Sequence, residues 1–588
     1  MRTSIAVVVV LAAASACKSS EPAKPPPSSG TGAAAGTAAA AGTAAAGDGT
    51  RSATTEATGA LRPVSECPPA LRGADEGLAR TIPAGCTTVV EGDYHVEGQL
   101  IVEAGATLRF QPGAGLFVGY ATPSRLEVRG TKDQPVRFTS AGDATPGAWV
   151  GVHLHRQASR SRVAGLILEH ADVGLDVEAS DLTVEGSTFR ALRGGAVRLA
   201  DDVVLAGFTG NTIDAAGEVA MSLAPAAMPG LGAGNTWPAD AVIELRAGTA
   251  ARSATWVAQG APLMVSGEVY VQGKPGKATV TVAPGTTLRF GGDGALYVGY
   301  DGDGELVAAG SEAAPVTFTS SGDASPGAWS HGVVAYPHGT VRVEHARFEH
   351  GGDAGHGALR GEGGTLAVSS TTFADNVVGL SADANTELRA LEHAQLTGNR
   401  DAALALTPRH LAALAADNAY GAGQVITVEG GRVTQVVTWP RQVGARVVVG
   451  GEVYVDGGGA LTLPAGARYD FTDQGALYVG YDGAGTLRVE GTAAEPVTLV
   501  GPRDEAGAWP GVELYGHAVA SVLRHLVVED AAGGGVRVSG GGAVEIDGLT
   551  CARCQDAALR WDCPSKVTQR GVKAEAGTPT AALAPDGC

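Results

Sequence analysis

The sequence predicts an all-β chain wound as a parallel solenoid, and three observations support this fold class. Motifs recur three times at spacings of 180 or 181 residues. Within each recurrence, short apolar runs alternate inward and outward with the two-residue period of a strand. Glycine accounts for 87 of the 588 residues and supplies the many turns that a solenoid needs. Hydrophobic residues make up 44% of the chain, which is enough for a long core and excludes a wholly disordered protein.

The chain begins with the features of an export signal at residues 1–16. A basic residue precedes the apolar run IAVVVVLAA at 5–13, and small residues then lead to Cys17. The tetrapeptide ASAC resembles the bacterial lipobox, which implies cleavage before Cys17 and attachment of lipid to that residue. Ala14 and Ala16 also suit an ordinary signal peptidase. Cysteine parity favours the lipid, because removing Cys17 from seven cysteines leaves an even set in an oxidising compartment.

Residues 17–61 are predicted to form the lipid anchor and a disordered tether behind it. Ala, Gly, Ser, Thr and Pro dominate this segment, so it has almost nothing to bury. An alanine-rich helix is the alternative, although glycine every few residues opposes it. Lys18 stands where lipoproteins retained at an inner membrane commonly carry Asp. The resemblance therefore favours an anchor in the outer membrane or at the cell surface over the inner membrane.

The rest of the chain divides into three units of similar sequence. We place them at 62–242 with an N-terminal cap, at 243–425, and at 426–588 with a cysteine-rich C-terminal cap. The motif L-F/Y-V-G-Y occupies 116–120, 296–300 and 477–481. The motif G-A-W ends at Trp149, Trp329 and Trp509, which we interpret as core or turn anchors.

Strands inside the second unit follow one another about every ten residues. Apolar alternation is visible at 287–290, 296–298, 306–308 and 316–318, with Gly, Asp, Pro or Ala between these runs. Two or three strands per coil predict a parallel β-helix, in which each coil buries its side chains against its neighbours. Coils of this size give roughly eight per unit and some 22 in all, a rod on the order of 100 Å long.

The run at 281–329, TVAPGTTLRFGGDGALYVGYDGDGELVAAGSEAAPVTFTSSGDASPGAW, resembles the right-handed parallel β-helix repeat proteins of bacterial surfaces, which have a pectin-lyase-like fold. The resemblance extends over about residues 80 to 570 and implies a right-handed solenoid. That architecture carries glycan lyases, hydrolases, epimerases and adhesins, so the resemblance is specific for the fold and weak for the activity.

The cysteines after the signal concentrate at the two ends of the predicted solenoid. We expect disulfides among Cys67, Cys86, Cys551, Cys554, Cys563 and Cys588. A zinc site or a redox pair is the alternative for the C-terminal group. No metal site and no cofactor is predicted. Two further metal hypotheses stay open: a calcium loop at 301–305, and a site among the histidines of the middle unit at His331, His338, His345, His350 and His356.

Two sets of recurring residues are candidates for function. Outward aromatic rings can stack on sugars, and those that recur beside Phe117 are Tyr120, Tyr297, Tyr300, Tyr478 and Tyr481. Polar pairs at strand ends are weak candidates for acid–base catalysis, namely Glu169 with His170, Glu349 with His350, and Glu529 with Asp530. The structural alternative is that the rings stack between coils and that the polar pairs shape the strand ends, since both sets return in every unit.

A formal net charge of −19 excludes a nucleic-acid partner on electrostatic grounds. The sequence favours a monomeric, membrane-anchored lipoprotein of the cell envelope without catalytic activity, with a structural, adhesive or glycan-binding role. Its partners would be the membrane, through the lipid, and a polysaccharide or another surface protein. The alternative is a polysaccharide lyase, hydrolase or epimerase that acts from an outward groove of the solenoid.

Overall fold

The computed structural model describes residues 66–75, 77–214, 217–502, 504–575, 577–578 and 583–586. The predicted signal, Cys17 and the tether lie outside the described residues, as does Cys588. The described residues form one compact unit. It is a right-handed parallel β-solenoid of about 21 turns, so the predicted fold class is confirmed.

The strands are short and follow one another closely along the chain. In the first third they are Ala70–Ala74, Ala79–Ile82, Thr87–Val96, Gln99–Glu103, Thr107–Phe110, Gly115–Val118, Arg125–Arg129, Val136–Ser140, Gly151–Leu154, Arg162–Ala164, Leu166–Glu169, Leu175–Val177, Leu182–Glu185, Thr188–Arg190, Val197–Leu199, Leu205–Thr209, Thr212–Ile213, Met221–Leu223 and Ile243–Leu245. In the middle they are Gly248–Ala250, Ala254–Trp256, Leu263–Val265, Glu268–Val271, Ala278–Val282, Thr287–Phe290, Ala295–Val298, Gly304–Ala309, Val316–Ser320, Val333–Ala335, Gly339–Glu344, Ala346–Glu349, Gly357–Gly361, Thr365–Ser369, Thr372–Ala374, Val378–Ala382, Glu387–Glu392, Gln395–Thr397, Ala402–Leu406 and Ala419–Tyr420. In the last third they are Val425–Val428, Gly431–Val433, Val436–Thr438, Arg446–Val449, Glu452–Val455, Gly459–Pro464, Arg468–Phe471, Ala476–Val479, Gly485–Glu490, Val497–Val500, Val512–Leu514, Ser521–Glu529, Val536–Val538, Ala543–Ala552, Leu559–Asp562, Lys566–Ala574 and Leu583–Asp586.

Short 3₁₀ helices at Met228–Gly230 and Pro408–Ala413 interrupt the strands. In the described part of the chain, no helix is both long and apolar enough to span a membrane.

Three strands make one coil, and each strand pairs in parallel with its counterpart one coil further along. Thr107–Phe110 pairs with Val136–Ser140 in this way, with Leu108 opposite Phe138. Alternate side chains point inward: Leu288 and Phe290 are fully buried, whereas Arg289 between them is exposed. The solenoid therefore has one continuous core and three outward faces, one for each strand of a coil.

The tryptophans of the G-A-W motifs lie in this core, as predicted. Each is 1% exposed. Trp149 stacks on Phe110 with ring centroids 3.9 Å apart, and the same pairing recurs at 4.4 Å for Trp329 on Phe290. The third copy pairs Trp509 with Phe471 at 4.2 Å. These stacks join the T-L-R-F strand of the first and second units, and the R-Y-D-F strand of the third, to the G-A-W motif of the same unit. This contact explains why both recur together.

Successive units are rotated about the solenoid axis by one face. The strand Thr287–Phe290 of the second unit continues the ladder that contains Gly115–Val118 of the first, seven coils earlier. Likewise Arg468–Phe471 of the third unit continues the ladder from Ala295–Val298 of the second. A unit thus contains seven coils and one further strand instead of the eight coils expected from its length.

The described disulfides lie at the two ends of the solenoid. Cys67 is bonded to Cys86 beside the first coils, and Cys551 is bonded to Cys554 near the last. Cys563 is also disulfide-bonded. The bond between Cys551 and Cys554 removes both thiolates from the zinc site considered above.

Candidate functional site

The L-Y-V-G-Y motif of the second unit places two tyrosines on the outside of one coil. Leu296 and Val298 are fully buried, so Tyr297 between them faces outward. Gly299 then turns the chain with a φ of 74°, and a Cβ on it would lie 2.0 Å from a backbone nitrogen of the next coil. Only glycine allows this approach. The turn presents Tyr300, which is 56% exposed.

Four rings from three consecutive coils meet at this place. They form the second aromatic cluster, which consists of Tyr270, Tyr297, Tyr300 and Tyr336. Each ring contacts two others in a closed loop, with centroids separated by 5.3 Å, 5.7 Å, 4.9 Å and 5.7 Å. Tyr297 is 8% exposed and forms the floor, whereas Tyr300 covers the turn. The result is a ridged aromatic surface with one prominent ring.

The same closed loop recurs in the other two units. The third aromatic cluster consists of Tyr454, Tyr478, Tyr481 and Tyr515. The first aromatic cluster consists of His95, Phe117, Tyr120 and His155. Tyr120 and Tyr481 are exposed like Tyr300, at 67% and 54%. All five tyrosines proposed from the sequence therefore belong to clusters, although Tyr297 is largely buried.

Sequence reasoning missed half of the rings. Tyr270 and Tyr454 lie in the recurring G-E-V-Y-V runs, which are a visible signal. Tyr336 and Tyr515 follow the tryptophans of their units by seven and six residues, so a fixed offset does not align them. Histidine replaces tyrosine at the equivalent places in the first unit, which hid that cluster further.

Carboxylates accompany the tyrosine clusters. The phenol of Tyr270 donates to Glu268 at 2.7 Å, and that of Tyr454 donates to Glu452 at 2.6 Å. The hydrogen bond to Glu452, with burial, raises the pKa of Tyr454 to about 12. Tyr515 donates to Glu513 at 2.9 Å. These phenols stay protonated at neutral pH. In the third cluster, cations accompany the carboxylates: the Arg432 guanidinium lies 5.4 Å from the centroid of the Tyr454 ring, and Arg537 lies 3.7 Å from Glu513.

A polar pocket lies beside the second aromatic cluster on the same face. Residues that pair across successive coils form an outward column, and in this column Tyr297, Val334 and Arg360 lie on three successive coils. Arg360 lines a pocket of about 310 Å³. Its side chain is 14% exposed, and its Nε lies 3.1 Å from Glu362 but makes no hydrogen bond. The other polar walls are His356, Glu362, Ser381, Asp383 and Glu429.

The proposed catalytic carboxylate of the first unit is held by two arginines. Glu169 accepts hydrogen bonds from Arg137 at 2.6 Å and from Arg190 at 2.8 Å. Burial raises its pKa, but these two arginines outweigh burial and hold the pKa below the ordinary value of 4.5. Its neighbour His170 adopts a left-handed backbone with φ of 68° and lies 3.1 Å from the hydroxyl of Thr139. These contacts give both residues a role in ending the strand.

The equivalent pairs in the other units have the same setting. Glu349 is paired with Arg347, and His350 has a φ of 64°. In the third unit, Arg553 bridges Glu529 at 2.8 Å and the fully buried Asp530 at 2.6 Å. Asp530 again has a positive φ, 68°. A left-handed position after each strand explains why this pair recurs.

The five histidines of the middle unit do not converge in the structure. His331 contacts the carbonyl of Gly292, and His356 lies 2.7 Å from Asp353. His338 lies near Asp303, 3.7 Å away. Among the described residues, no group of three or more His, Cys, Asp or Glu side chains could hold a metal ion.

In the loop at 301–305, which was considered as a calcium site, two carboxylates form ion pairs with lysine and arginine side chains. Asp301 pairs with Lys274 at 2.8 Å, and Glu305 pairs with Lys277 and with Arg342. A calcium ion at this loop would have to displace these lysine and arginine contacts.

No family model and no curated protein matches the chain.

Proposed function

We propose that the protein is a non-catalytic, membrane-anchored lipoprotein of the cell envelope that binds glycans through its three aromatic clusters. The observation that carries the proposal is the recurrence of the same four-ring loop in all three units. The rings stack between coils, as the structural alternative expects. That stacking does not require Tyr120, Tyr300 and Tyr481 to keep more than half of their surface exposed, and they do so in all three units.

The chemistry of the clusters suits sugars. Aromatic faces stack on the apolar face of a pyranose ring, and phenols and carboxylates exchange hydrogen bonds with its hydroxyl groups. Glu268 adds negative charge at the second cluster, and Glu452 and Glu513 add it at the third, where Arg432 and Arg537 offset part of it. The whole chain carries −19. Acidic glycans would be repelled by this charge. The proposed ligands are therefore neutral sugars or amino sugars.

The surroundings of two carboxylates, Glu169 and Asp383, favour binding over catalysis. A glycosidase needs a general acid with a raised pKa. Glu169 has the opposite shift, because Arg137 and Arg190 hold it charged. The pocket carboxylate Asp383 accepts hydrogen bonds from three backbone amides and the hydroxyl of Thr386, and so shapes a turn. Enzymatic turnover of a glycan is the alternative that the experiment below tests.

A glycan panel tests binding and turnover together. Purified protein is incubated with soluble glucans, mannans, galactans, chitin oligomers and uronate-containing glycans, and both retention and cleavage products are measured. We expect retention of neutral or amino-sugar ligands without products. Tyr300→Ala should weaken binding at its cluster, whereas Tyr300→Phe keeps the ring and serves as the matched control. Reproducible cleavage or epimerisation would overturn the non-catalytic proposal, and no retention of any glycan would overturn the binding proposal.

The lipid anchor has a separate test. Cys17 is the residue to be acylated, so Cys17→Ser should prevent acylation and block cleavage before residue 17, leaving a precursor that keeps the apolar run at 5–13. Labelling of cells with fatty acid and the size of the chain measure the two effects. Unchanged labelling and processing in Cys17→Ser would contradict the anchor.

A further inference from the structure

The three aromatic clusters lie on three different faces of the solenoid. The cluster strand of the first unit, Gly115–Val118, belongs to a ladder that reaches Thr287–Phe290 in the second unit. The cluster strand of the second unit, Ala295–Val298, is the next strand of that coil and therefore lies on the next face. The cluster strand of the third unit, Ala476–Val479, is displaced by one further face. The ladder of Ala295–Val298 reaches Arg468–Phe471, which is the strand before Ala476–Val479.

The clusters are also far apart along the axis. Phe117 and Arg289 belong to the same outward column, and seven parallel-strand spacings separate them. Arg289 lies on the strand just before the cluster strand of the second unit. At the usual spacing of parallel strands, neighbouring clusters are therefore roughly 35 Å apart along the axis, and each is turned by about a third of a revolution from the one before.

Beyond the first aromatic cluster, the outward residues in line with Phe117 on the same face are not aromatic. Beyond His153, which stacks on Phe117 at 4.9 Å, the outward column continues through Asp176, Arg198, Ser222, Glu244, Met264 and Arg289. A glycan strand lying straight along this face would stack at the first aromatic cluster and then meet mainly charged side chains. It would not reach the second aromatic cluster, which faces another direction.

We infer that each aromatic cluster is an independent site for a separate glycan strand, so that the protein cross-links strands instead of holding one strand along its length. The inference rests on the proposed function and adds the number and arrangement of the ligands. Three sites that face three directions can hold three strands at once without the strands colliding. Joining sites in one rigid body raises the strength of attachment to a glycan network far above that of one site.

The experiment uses the chain from residue 17 onward with Cys17→Ser, so that neither a lipid nor the apolar run at 5–13 joins one molecule to another. The first step takes a neutral or amino-sugar oligomer retained in the panel, too short to reach from one cluster to the next, and measures its stoichiometry by calorimetry. We expect three oligomers per chain. Replacing Tyr120, Tyr300 or Tyr481 by Ala should weaken one of the three sites by roughly three- to tenfold, the loss expected for one stacking ring. These three side chains are exposed, so the solenoid should still fold.

The second step measures cross-linking of the corresponding long polymer by light scattering. We expect scattering to rise with added protein, to pass through a maximum and to fall when the short oligomer is added in excess. A chain with two clusters weakened by Tyr→Ala should still bind the oligomer at the intact cluster but should lose most of the scattering. The same positions changed by Tyr→Phe are the matched control and should scatter like the parent chain.

The outcomes separate the inference from the proposed function. A stoichiometry of one, with tighter binding once a strand is long enough to wind from cluster to cluster, would overturn cross-linking and leave glycan binding intact. Three oligomers per chain with no cross-linking of the polymer would also overturn it. If no glycan is retained in the panel, the proposed function and this inference both fall.

Discussion

The indole Nε1 of Trp329 donates a hydrogen bond to the backbone carbonyl of Glu349, 2.8 Å away on the next coil. Trp149 makes the same bond to Glu169 at 2.9 Å, and Trp509 makes it to Glu529 at 2.7 Å. The acceptor is the main chain, so the bond needs no particular side chain at the acidic position. The side chain that this hydrogen bond requires is therefore the tryptophan, which is the donor in all three units.

The Trp329 ring should therefore matter far more than the carboxylate of Glu349. Trp329→Ala removes a fully buried ring and its stack on Phe290, and should lower the free energy of unfolding by about 3–5 kcal/mol. Glu349→Gln keeps the carbonyl acceptor and loses a partly exposed ion pair with Arg347, which should cost at most about 1 kcal/mol. Urea unfolding of both variants measures the difference. Equal losses would contradict the assigned roles.

His350 should be replaceable by residues that tolerate a left-handed backbone. Its φ is 64°. His350→Asn and His350→Gly should therefore keep the stability of the parent within about 1 kcal/mol, whereas the β-branched His350→Val should cost about 1–3 kcal/mol. Thermal or urea unfolding compares the three variants. If Val were tolerated as well as Asn, backbone conformation would not explain the recurrence of this position.

Glu169 should make the first unit sensitive to acid. Its pKa lies below 4.5 in the folded state, so its ion pairs with Arg137 and Arg190 stabilise the fold above that pH. This contribution is lost as the pH falls through the folded pKa. At neutral pH, Glu169→Gln should cost about 1–3 kcal/mol, and the gap to the parent should narrow as the pH falls from 4.5 through the folded pKa of Glu169.

Unfolding of Glu169→Gln and the parent across pH 3–7 measures this gap. Glu349→Gln is the matched control, because Glu349 is more exposed and is paired with a single described arginine, Arg347. A gap for Glu169→Gln that stayed constant with pH would show that the charge of this carboxylate does not stabilise the fold.

Gly299 should be required for the second aromatic cluster. Gly299→Ala places a methyl group in contact with the backbone of the next coil and in a left-handed conformation. We expect a loss of about 2 kcal/mol or more and a changed near-ultraviolet circular dichroism signal from the displaced Tyr300. Gly292→Ala is the control in the same unit, since nothing lies within 4 Å of its added Cβ. A native signal in Gly299→Ala would contradict the close approach.

The solenoid and the described disulfides at its ends could be predicted because their signals are local. Strand alternation, turn glycines and cysteine positions are each visible within a few residues, and the structure confirms a parallel solenoid with the described disulfides at its ends. The rotation between units could not be predicted from length. Near the end of the first unit, the coil continues through Met228–Gly230 and through Leu231 and Thr236, which make only isolated bridges. These places carry no alternating pattern, so the strands of a unit cannot be counted from the sequence.

The aromatic clusters were partly predictable for a related reason. A ring in a repeated pentapeptide is easily found, as Tyr300 and Tyr481 show. Contacts between coils bring together residues such as Tyr270 and Tyr336, which are far apart in sequence. Their meeting depends on the length of each coil, and the coil length varies with the turns.

Because each unit contains one strand more than seven full coils, the number of units determines the direction in which the last coils face around the solenoid axis. Recombination between equivalent residues of two units could delete one unit and leave every remaining strand with a suitable neighbour, because the chain would continue to wind without interruption. Every residue beyond the junction would nevertheless face a direction a third of a revolution away from its former one. The rotations of three units add up to one revolution, so equivalent residues of a fourth unit would face the same direction as those of the first. A change in the number of units would thus alter the direction in which the surface residues face, as well as the length of the solenoid.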